Sequence, residues 1–218
     1  FGNVRDAQLA RRLGTALATD PDANANFGAL PSAKVGSQAG PPKMQWKSLL
    51  GFDLSFIPAN ATVTSATVTL DTTSAGAGTV RVKRVTAPWV ENLVTFRNWN
   101  NAQASNDEAS FASTGGTRSF DLTALSQAWV SGAQANNGVV LLEESPTSTF
   151  STSEVTQGSL RPKLSICYTS PTPCAPNPCQ NGGTCTSSGG AATCACPAGY
   201  SGAQCEVPSC PCRSMGGW

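Results

Sequence analysis

Residues 61–70 read Ala-Thr-Val-Thr-Ser-Ala-Thr-Val-Thr-Leu, and this stretch decides the fold class. Its apolar residues are Val63, Ala66, Val68 and Leu70. They alternate mostly with threonine, and a period of two separates the side chains onto the two faces of a β-strand. The stretch is therefore predicted to be a half-buried strand.

Further strands are predicted on both sides of this one. Apolar runs or alternating patterns occur at 49–54, 79–85, 139–142 and 164–168. The run at 139–142 follows Asn136-Asn137-Gly138, which is a turn signal. Gly (21 residues) and Pro (15 residues) are abundant, and this composition favours many turns over long helices.

Two short segments have helical spacing. Residues 6–13 carry Leu9 and Leu13 four positions apart and are followed by a glycine. Residues 122–130 follow Asp121 and place apolar side chains on one face. Many strands with two minor helices predict an all-β fold: a jelly-roll β-sandwich followed by a small disulfide-rich module.

Composition excludes several classes of function. Charged residues make up 12% of the 218-residue chain and the net charge is +1, so we expect no nucleic-acid partner. The chain has no histidine, which excludes Ser-His-Asp and Cys-His catalysis and histidine zinc sites. No apolar stretch approaches the roughly 20 residues of a membrane-spanning helix.

The cysteines indicate the compartment. All nine lie at or after Cys167. Clustered cysteines in a chain of low charge indicate an oxidising, extracellular setting, and a cytosolic zinc-binding tail is the alternative. Phe1 in place of an initiator Met predicts a mature or trimmed chain. Asn60-Ala61-Thr62 is a candidate N-glycosylation site.

Six cysteines follow the spacing C-x4-C-x5-C-x8-C-x-C-x8-C. They are Cys174, Cys179, Cys185, Cys194, Cys196 and Cys205. Spacing alone leaves 15 pairings open. With the motifs at 181–184 and 199–202, which read NGGT and GYSG, the segment resembles an EGF-like domain. That resemblance implies the disulfides Cys174–Cys185, Cys179–Cys194 and Cys196–Cys205.

Calcium-binding members of the EGF-like family carry acidic residues just before the first cysteine. Residues 170–173 offer no carboxylate there, so no calcium site is expected in this module. A segment this short depends on its cross-links for stability. Its expected role is a spacer or contact surface, and receptor signalling is the alternative.

Cys167, Cys210 and Cys212 remain outside the module. An odd number leaves one thiol unpaired or bonded to another chain. A bond between Cys210 and Cys212 would close a very tight ring, so Cys167 is predicted to pair with one of them. The remaining thiol is either an intermolecular disulfide candidate or a buried free cysteine.

The first 168 residues carry a recognisable order of motifs. They are DPDANANFG (20–28), LLGFDLS (49–55), IP (57–58), ATVTSATVTL (61–70), VTAPW (85–89), VTF (94–96), FDLT (120–123), QAWVSG (127–132), NNGV (136–139) and RPKL (161–164). In that order they resemble the DNRLRE (disaggregatase-related repeat) domain. The resemblance implies a jelly-roll sandwich of secreted and surface proteins, some of which are carbohydrate-binding modules.

These patterns predict five segments. They are an N-terminal extension (1–13), the DNRLRE-type sandwich (14–168), a Thr/Ser/Pro linker (169–173), the EGF-like domain (174–205) and a C-terminal tail (206–218). The extension has no counterpart in the family pattern.

Sugar binding needs aromatic faces and hydrogen-bonding side chains on a shared surface. Trp99 is flanked by asparagines and is predicted to be an exposed platform, whereas Trp89 and Trp129 are predicted to be core. Arg81 and Lys83 share a strand face and are candidates to pair with an acidic glycan. The alternative for that pair is a solvated strand face.

No catalytic residue is predicted. Asp53 suits a strand bend and Asp121 a helix N-cap, rather than the carboxylate pair of a glycosidase. No cofactor is expected, apart from a structural calcium ion that Asp20 and Asp22 are candidates to hold.

The predicted function is a non-catalytic, secreted or cell-surface binding or adhesion protein that engages polysaccharide. The alternative is a subunit of an extracellular homopolymeric filament, whose partners are other copies of the chain. Assembly would then use the terminal extensions, with Phe1 and Trp218 as candidates, and an intermolecular disulfide. A hydrolase is the least favoured class.

Overall fold

The computed structural model describes residues 4–144, 146–188 and 190–209. The chain divides into two compact units, one within residues 1–169 and one within 170–218. Strands make up 42% of the structure and helices only 7%, which confirms the predicted all-β class. No helix among the described residues is long and apolar enough to cross a membrane.

The first unit is built on a ten-stranded antiparallel sheet. Its strands are β1 (Val4–Arg12), β2 (Ser32–Gln38), β3 (Met44–Phe52), β4 (Thr62–Ser74), β5 (Thr79–Arg84), β6 (Ala109–Ala112), β7 (Gly116–Asp121), β8 (Val139–Leu142), β9 (Ser148–Ser151) and β10 (Lys163–Thr169). The helices are α1 (Phe96–Trp99) and α2 (Thr123–Val130), with a 3-10 turn at Gly158–Leu160. The paired order is β10-β4-β9-β2-β3-β8-β5-β6, with β1 also on β3 and β7 on β4.

Strand β2 connects the two layers of the sandwich. Its residues 32–35 pair with β9, and its residues 36–38 pair with β3. The sheet therefore curls so that a first layer (β1, β3, β8, β5 and β6) faces a second layer (β4, β7, β9 and β10). This is the predicted jelly-roll β-sandwich.

The main core lies between these layers. Buried side chains come from both of them: Leu50, Val82, Leu141, Val68, Leu70, Phe120 and Phe150. Helix α2, which confirms the helix predicted at 122–130, adds Leu125 and Trp129. The apolar side chains that alternate along 61–70 are all buried, which confirms the prediction of a half-buried strand.

A second apolar cluster lies on the opposite, outer face of the first layer. Leu9, Leu49 and Val140 pack there against residues 85–102, which carry Trp89, Phe96 and Trp99. Strand β8 is therefore buried on both faces, which explains its uninterrupted apolar sequence, Val-Val-Leu-Leu.

The helix predicted at 6–13 is wrong, because residues 4–12 form strand β1. This strand pairs with β3 along its whole length and is buried on both faces. On the other edge of β1, two backbone N–H groups donate to carboxylate oxygens. A Glu91 oxygen accepts the Asp6 N–H at 2.6 Å. An Asp20 oxygen accepts the Arg12 N–H at 2.6 Å. Pairing with β3 thus decides the conformation of these residues, although the spacing of Leu9 and Leu13 favours a helix.

The second unit is cross-linked by three disulfides. They join Cys174 to Cys185, Cys179 to Cys194 and Cys196 to Cys205, which is the pairing that the EGF-like resemblance implied. The strands β11 (Thr184–Ser188) and β12 (Ala191–Ala195) form a hairpin. The short strands β13 (Tyr200–Ser201) and β14 (Val207–Pro208) form a second pair.

Candidate functional site

A groove of about 250 Å³ lies on the first layer of the sandwich. It is lined by Gln45, Trp46, Lys47, Arg81, Lys83, Leu142, Glu143 and Glu144. Strand pairing brings β5 and β8 together, with Arg81 opposite Leu142 and Lys83 opposite Val140. The predicted pair Arg81 and Lys83 is therefore part of a larger polar site.

Lys47 is the buried cation of this groove, with only 8% of its surface exposed. Its Nζ donates to Asn101 Oδ1 at 2.9 Å and to Gln103 Oε1 at 3.2 Å. The same ammonium lies 4.8 Å from the centre of the Trp99 ring and 5.6 Å from that of Phe96. Amide oxygens and aromatic faces thus hold the charge in place.

No carboxylate among the described residues pairs with Lys47. Burial lowers the pKa of Lys47 to about 8, and the positive charges of Arg11 and Lys83 act in the same direction. The groove therefore contains a positive charge that the described part of the chain does not neutralise.

Arg81 and Lys83 form the more exposed part of the groove, with 54% and 16% of their side chains exposed. Both pair with Asp107, at 3.4 Å and 3.3 Å respectively. Lys83 also donates to the carbonyl oxygen of Ser105. Ion pairs between partly exposed side chains contribute little free energy.

Hydrogen-bond donors and acceptors both flank these cations. Gln45 Oε1 accepts the Arg11 Nε–H at 2.8 Å, which leaves its amide NH₂ as a donor. Glu144 is exposed, whereas Glu143 is buried and accepts the Ser148 hydroxyl at 2.7 Å. Burial raises the pKa of Glu143. Glu144 is therefore the carboxylate of the groove that a ligand can reach.

The prediction that Trp99 is an exposed platform is wrong. Trp99 is 4% exposed and packs edge to face with Phe96, with 6.5 Å between ring centres. It is buried because residues 85–102 cover the outer face of the first layer. Trp89 and Trp129 are 5% and 6% exposed, which confirms their prediction as core residues.

The geometry of Asp20 and Asp22 does not fit the predicted calcium site. Asp20 is fully buried, and its carboxylate accepts the N–H groups of Arg12 at 2.6 Å, Asp22 at 2.9 Å and Ala23 at 3.3 Å. Asp22 pairs with the Arg12 guanidinium at 2.6 Å. Donors of the chain itself occupy these oxygens, so the two residues fix the turn that follows β1.

Three other carboxylates, which the sequence analysis missed, meet beside β1. One oxygen from each of Asp6, Glu91 and Glu154 lies within 4.8 Å of the others. Asp6 is 2% exposed and accepts the Ser153 N–H at 2.7 Å. Burial, with the nearby charges of Glu154 and Glu91, raises the pKa of Asp6 to about 7. Carboxylate oxygens are the ligands that hard cations such as Ca²⁺ prefer, so these three residues are the candidates to hold one.

The remaining candidates are dispersed. Asn60 is exposed in the turn before β4. Cys167 is exposed on β10 and has no disulfide partner in the part of the chain that the structure describes. The other assembly and disulfide candidates are outside the described residues, and the predictions about them stay predictions. They are Phe1, Cys210, Cys212 and Trp218.

Residues 174–204 match the EGF-like domain family. Delta-like protein 3 of Mus musculus and of Rattus norvegicus are each 50% identical to this chain over 42 residues, which are 19% of the chain and 7% of those proteins. Abnormal pharyngeal pumping eat-20 of Caenorhabditis elegans is 48% identical over 50 residues, 21% of this chain and 6% of that protein. The chain therefore spans less than a tenth of these relatives.

The EGF-like module, its three disulfides and its likeness to these relatives point to an extracellular or cell-surface protein. This agrees with the compartment predicted from the cysteines.

Proposed function

We propose that this chain is a non-catalytic extracellular binding protein whose sandwich holds an acidic polysaccharide in the groove of the first layer. Lys47 carries the proposal, because it is a buried cation without a carboxylate partner in the described structure. Burying an unpaired charge costs free energy, and an anionic ligand would recover part of that cost. The EGF-like module then serves as a spacer or contact surface.

The other groove residues suit the rest of a sugar ring. Arg81 and Lys83 donate hydrogen bonds, the Gln45 amide can donate, and the exposed Glu144 carboxylate accepts. Sugar hydroxyls both donate and accept, so a surface that mixes these groups can satisfy them. Since Arg81 and Lys83 already share Asp107, Lys47 is the cation that distinguishes acidic from neutral sugars.

The first test compares chromatography columns whose ligands are all built on dextran and differ only in charge. We expect carboxymethyl-dextran and dextran sulfate columns to retain the full chain, and neutral dextran to retain it weakly. Lys83→Ala should weaken the affinity about tenfold, since a hydrogen bond to a charged group is lost. Lys163→Ala is the matched control, because Lys163 is an exposed lysine on β10 of the second layer. Equal losses in both variants would indicate non-specific charge attraction, and no retention on any polysaccharide would disprove the proposal.

Lys47 also gives the binding a characteristic pH dependence. Its pKa of about 8 means that it is mostly charged at pH 7 and mostly neutral at pH 9. Affinity for carboxymethyl-dextran should therefore fall about tenfold between these pH values. Lys47→Arg keeps a charge that does not titrate in this range, so its affinity should stay level. A wild-type profile that matches Lys47→Arg would contradict the role of Lys47.

A further inference from the structure

A second cavity, distinct from the groove, opens where the loop after β3, the end of α2 and the loop before β8 meet. Its volume is about 540 Å³, within the range of small-molecule sites. Much of its wall is apolar, and each apolar side chain there keeps 6–8% of its surface exposed: Phe52, Leu54, Ile57, Trp129 and Val130. Such a wall suits the hydrophobic part of a ligand.

Arg5 is the cationic residue that lines this cavity. It lies opposite Gly51 in the β1–β3 pair, where a Cβ would come within 2.5 Å of the Arg5 Nε. A side chain at position 51 would therefore push the arginine out of this position. The guanidinium also stacks on the Trp89 ring, 4.6 Å from its centre. Among the described residues it has no ion-pair partner, so its donors are held in position and remain unused.

Trp129 contributes its ring to the wall of the cavity. Its Nε1–H has no acceptor in the described part of the chain, but this nitrogen is shielded from solvent and therefore does not face the open cavity. Asp53 also lines the cavity but is exposed, and the Ser55 N–H at 2.9 Å lowers its pKa.

We propose that this cavity binds a small organic monocarboxylate with an apolar body. The carboxylate accepts hydrogen bonds from Arg5, whose planar guanidinium matches its two oxygens. The apolar body packs on Leu54, Ile57 and Val130. Asp53 repels a second negative charge, so the cavity discriminates against dicarboxylates. This inference does not depend on polysaccharide binding in the groove.

Calorimetric titration of the full chain with three related probes tests the ligand class. The probes are 3-phenylpropionate, its amide 3-phenylpropanamide, and the dicarboxylate phenylsuccinate. We expect 3-phenylpropionate to bind at least tenfold more tightly than either of the others. Equal affinities for the acid and the amide, or no binding of 3-phenylpropionate up to about 10 mM, would overturn the proposal.

Variants locate the site. Arg5→Gln should abolish binding of 3-phenylpropionate, whereas Arg97→Gln should leave it unchanged, because Arg97 is exposed on α1 and does not line the cavity. Arg5→Lys should weaken binding several-fold, because an ammonium group cannot match both carboxylate oxygens. Should Arg5→Gln fail to fold, Arg5→Lys decides instead. Wild-type affinity in Arg5→Gln or in Arg5→Lys would overturn the assignment.

Discussion

Asp6→Asn should make the first unit about 4 kcal/mol more stable at pH 8 while changing its stability little at pH 4. Folding raises the pKa of Asp6 from 3.8 to about 7, mainly because β1 buries the carboxyl, with Glu154 and Glu91 adding repulsion. The native state therefore holds this proton more tightly than the unfolded state. The resulting stability is complete below about pH 4 and is lost as the pH rises through about 7.

Denaturant titrations from pH 4 to pH 8 measure this effect as the difference between wild type and Asp6→Asn. The amide keeps an acceptor for the Ser153 N–H and has no proton to lose. EDTA should be present, because a cation bound by the three carboxylates would screen their repulsion. Asp53→Asn is the control, since the pKa of the exposed Asp53 is lowered and its effect should stay constant over this range. A pH-independent difference for Asp6→Asn would contradict a buried charge at this position.

Much of the sandwich could be predicted because several strands carry their burial pattern in the local sequence. β4, β5 and β8 show either a mostly alternating pattern or an apolar run, and these patterns follow from burial on one face or both. The strand β9 was missed, because it reads Ser-Thr-Phe-Ser and contributes only Phe150 to the core. Its conformation depends on pairing with β2 and β4, which no local pattern records.

The candidate site could be predicted only in part, since its contacts join distant parts of the chain. Arg81 and Lys83 were found because they share one strand face. Asp6 meets Glu91 across 85 residues of sequence, and Lys47 meets Asn101 across 54. Neither Asp6 nor Lys47 could therefore be recognised as buried. The EGF-like module is the opposite case, because its signature lies within about 32 consecutive residues. Spacing alone left the pairing open, and the resemblance to the EGF-like family implied all three disulfides.

The second large effect concerns Trp99, which should act through packing rather than through ligand contact. Trp99→Ala should lower the free energy of unfolding of the first unit by about 3–5 kcal/mol. The substitution leaves a cavity beside Phe96 in the outer cluster that fixes residues 85–102 to the first layer. It also removes the ring that lies 4.8 Å from the Lys47 ammonium.

Trp99→Phe separates packing from any contact with sugar. Phenylalanine keeps a ring over Lys47 and removes an indole N–H that has no acceptor among the residues described, so the expected cost is below about 1.5 kcal/mol. Guanidinium unfolding midpoints at unchanged slope measure both variants. A cost for Trp99→Ala no larger than that for Trp99→Phe would argue against a core position. Because Trp99 is buried and lies 4.8 Å from the Lys47 ammonium, Trp99→Phe should keep wild-type affinity for carboxymethyl-dextran. A platform that stacked on sugar would instead bind more weakly with the smaller ring.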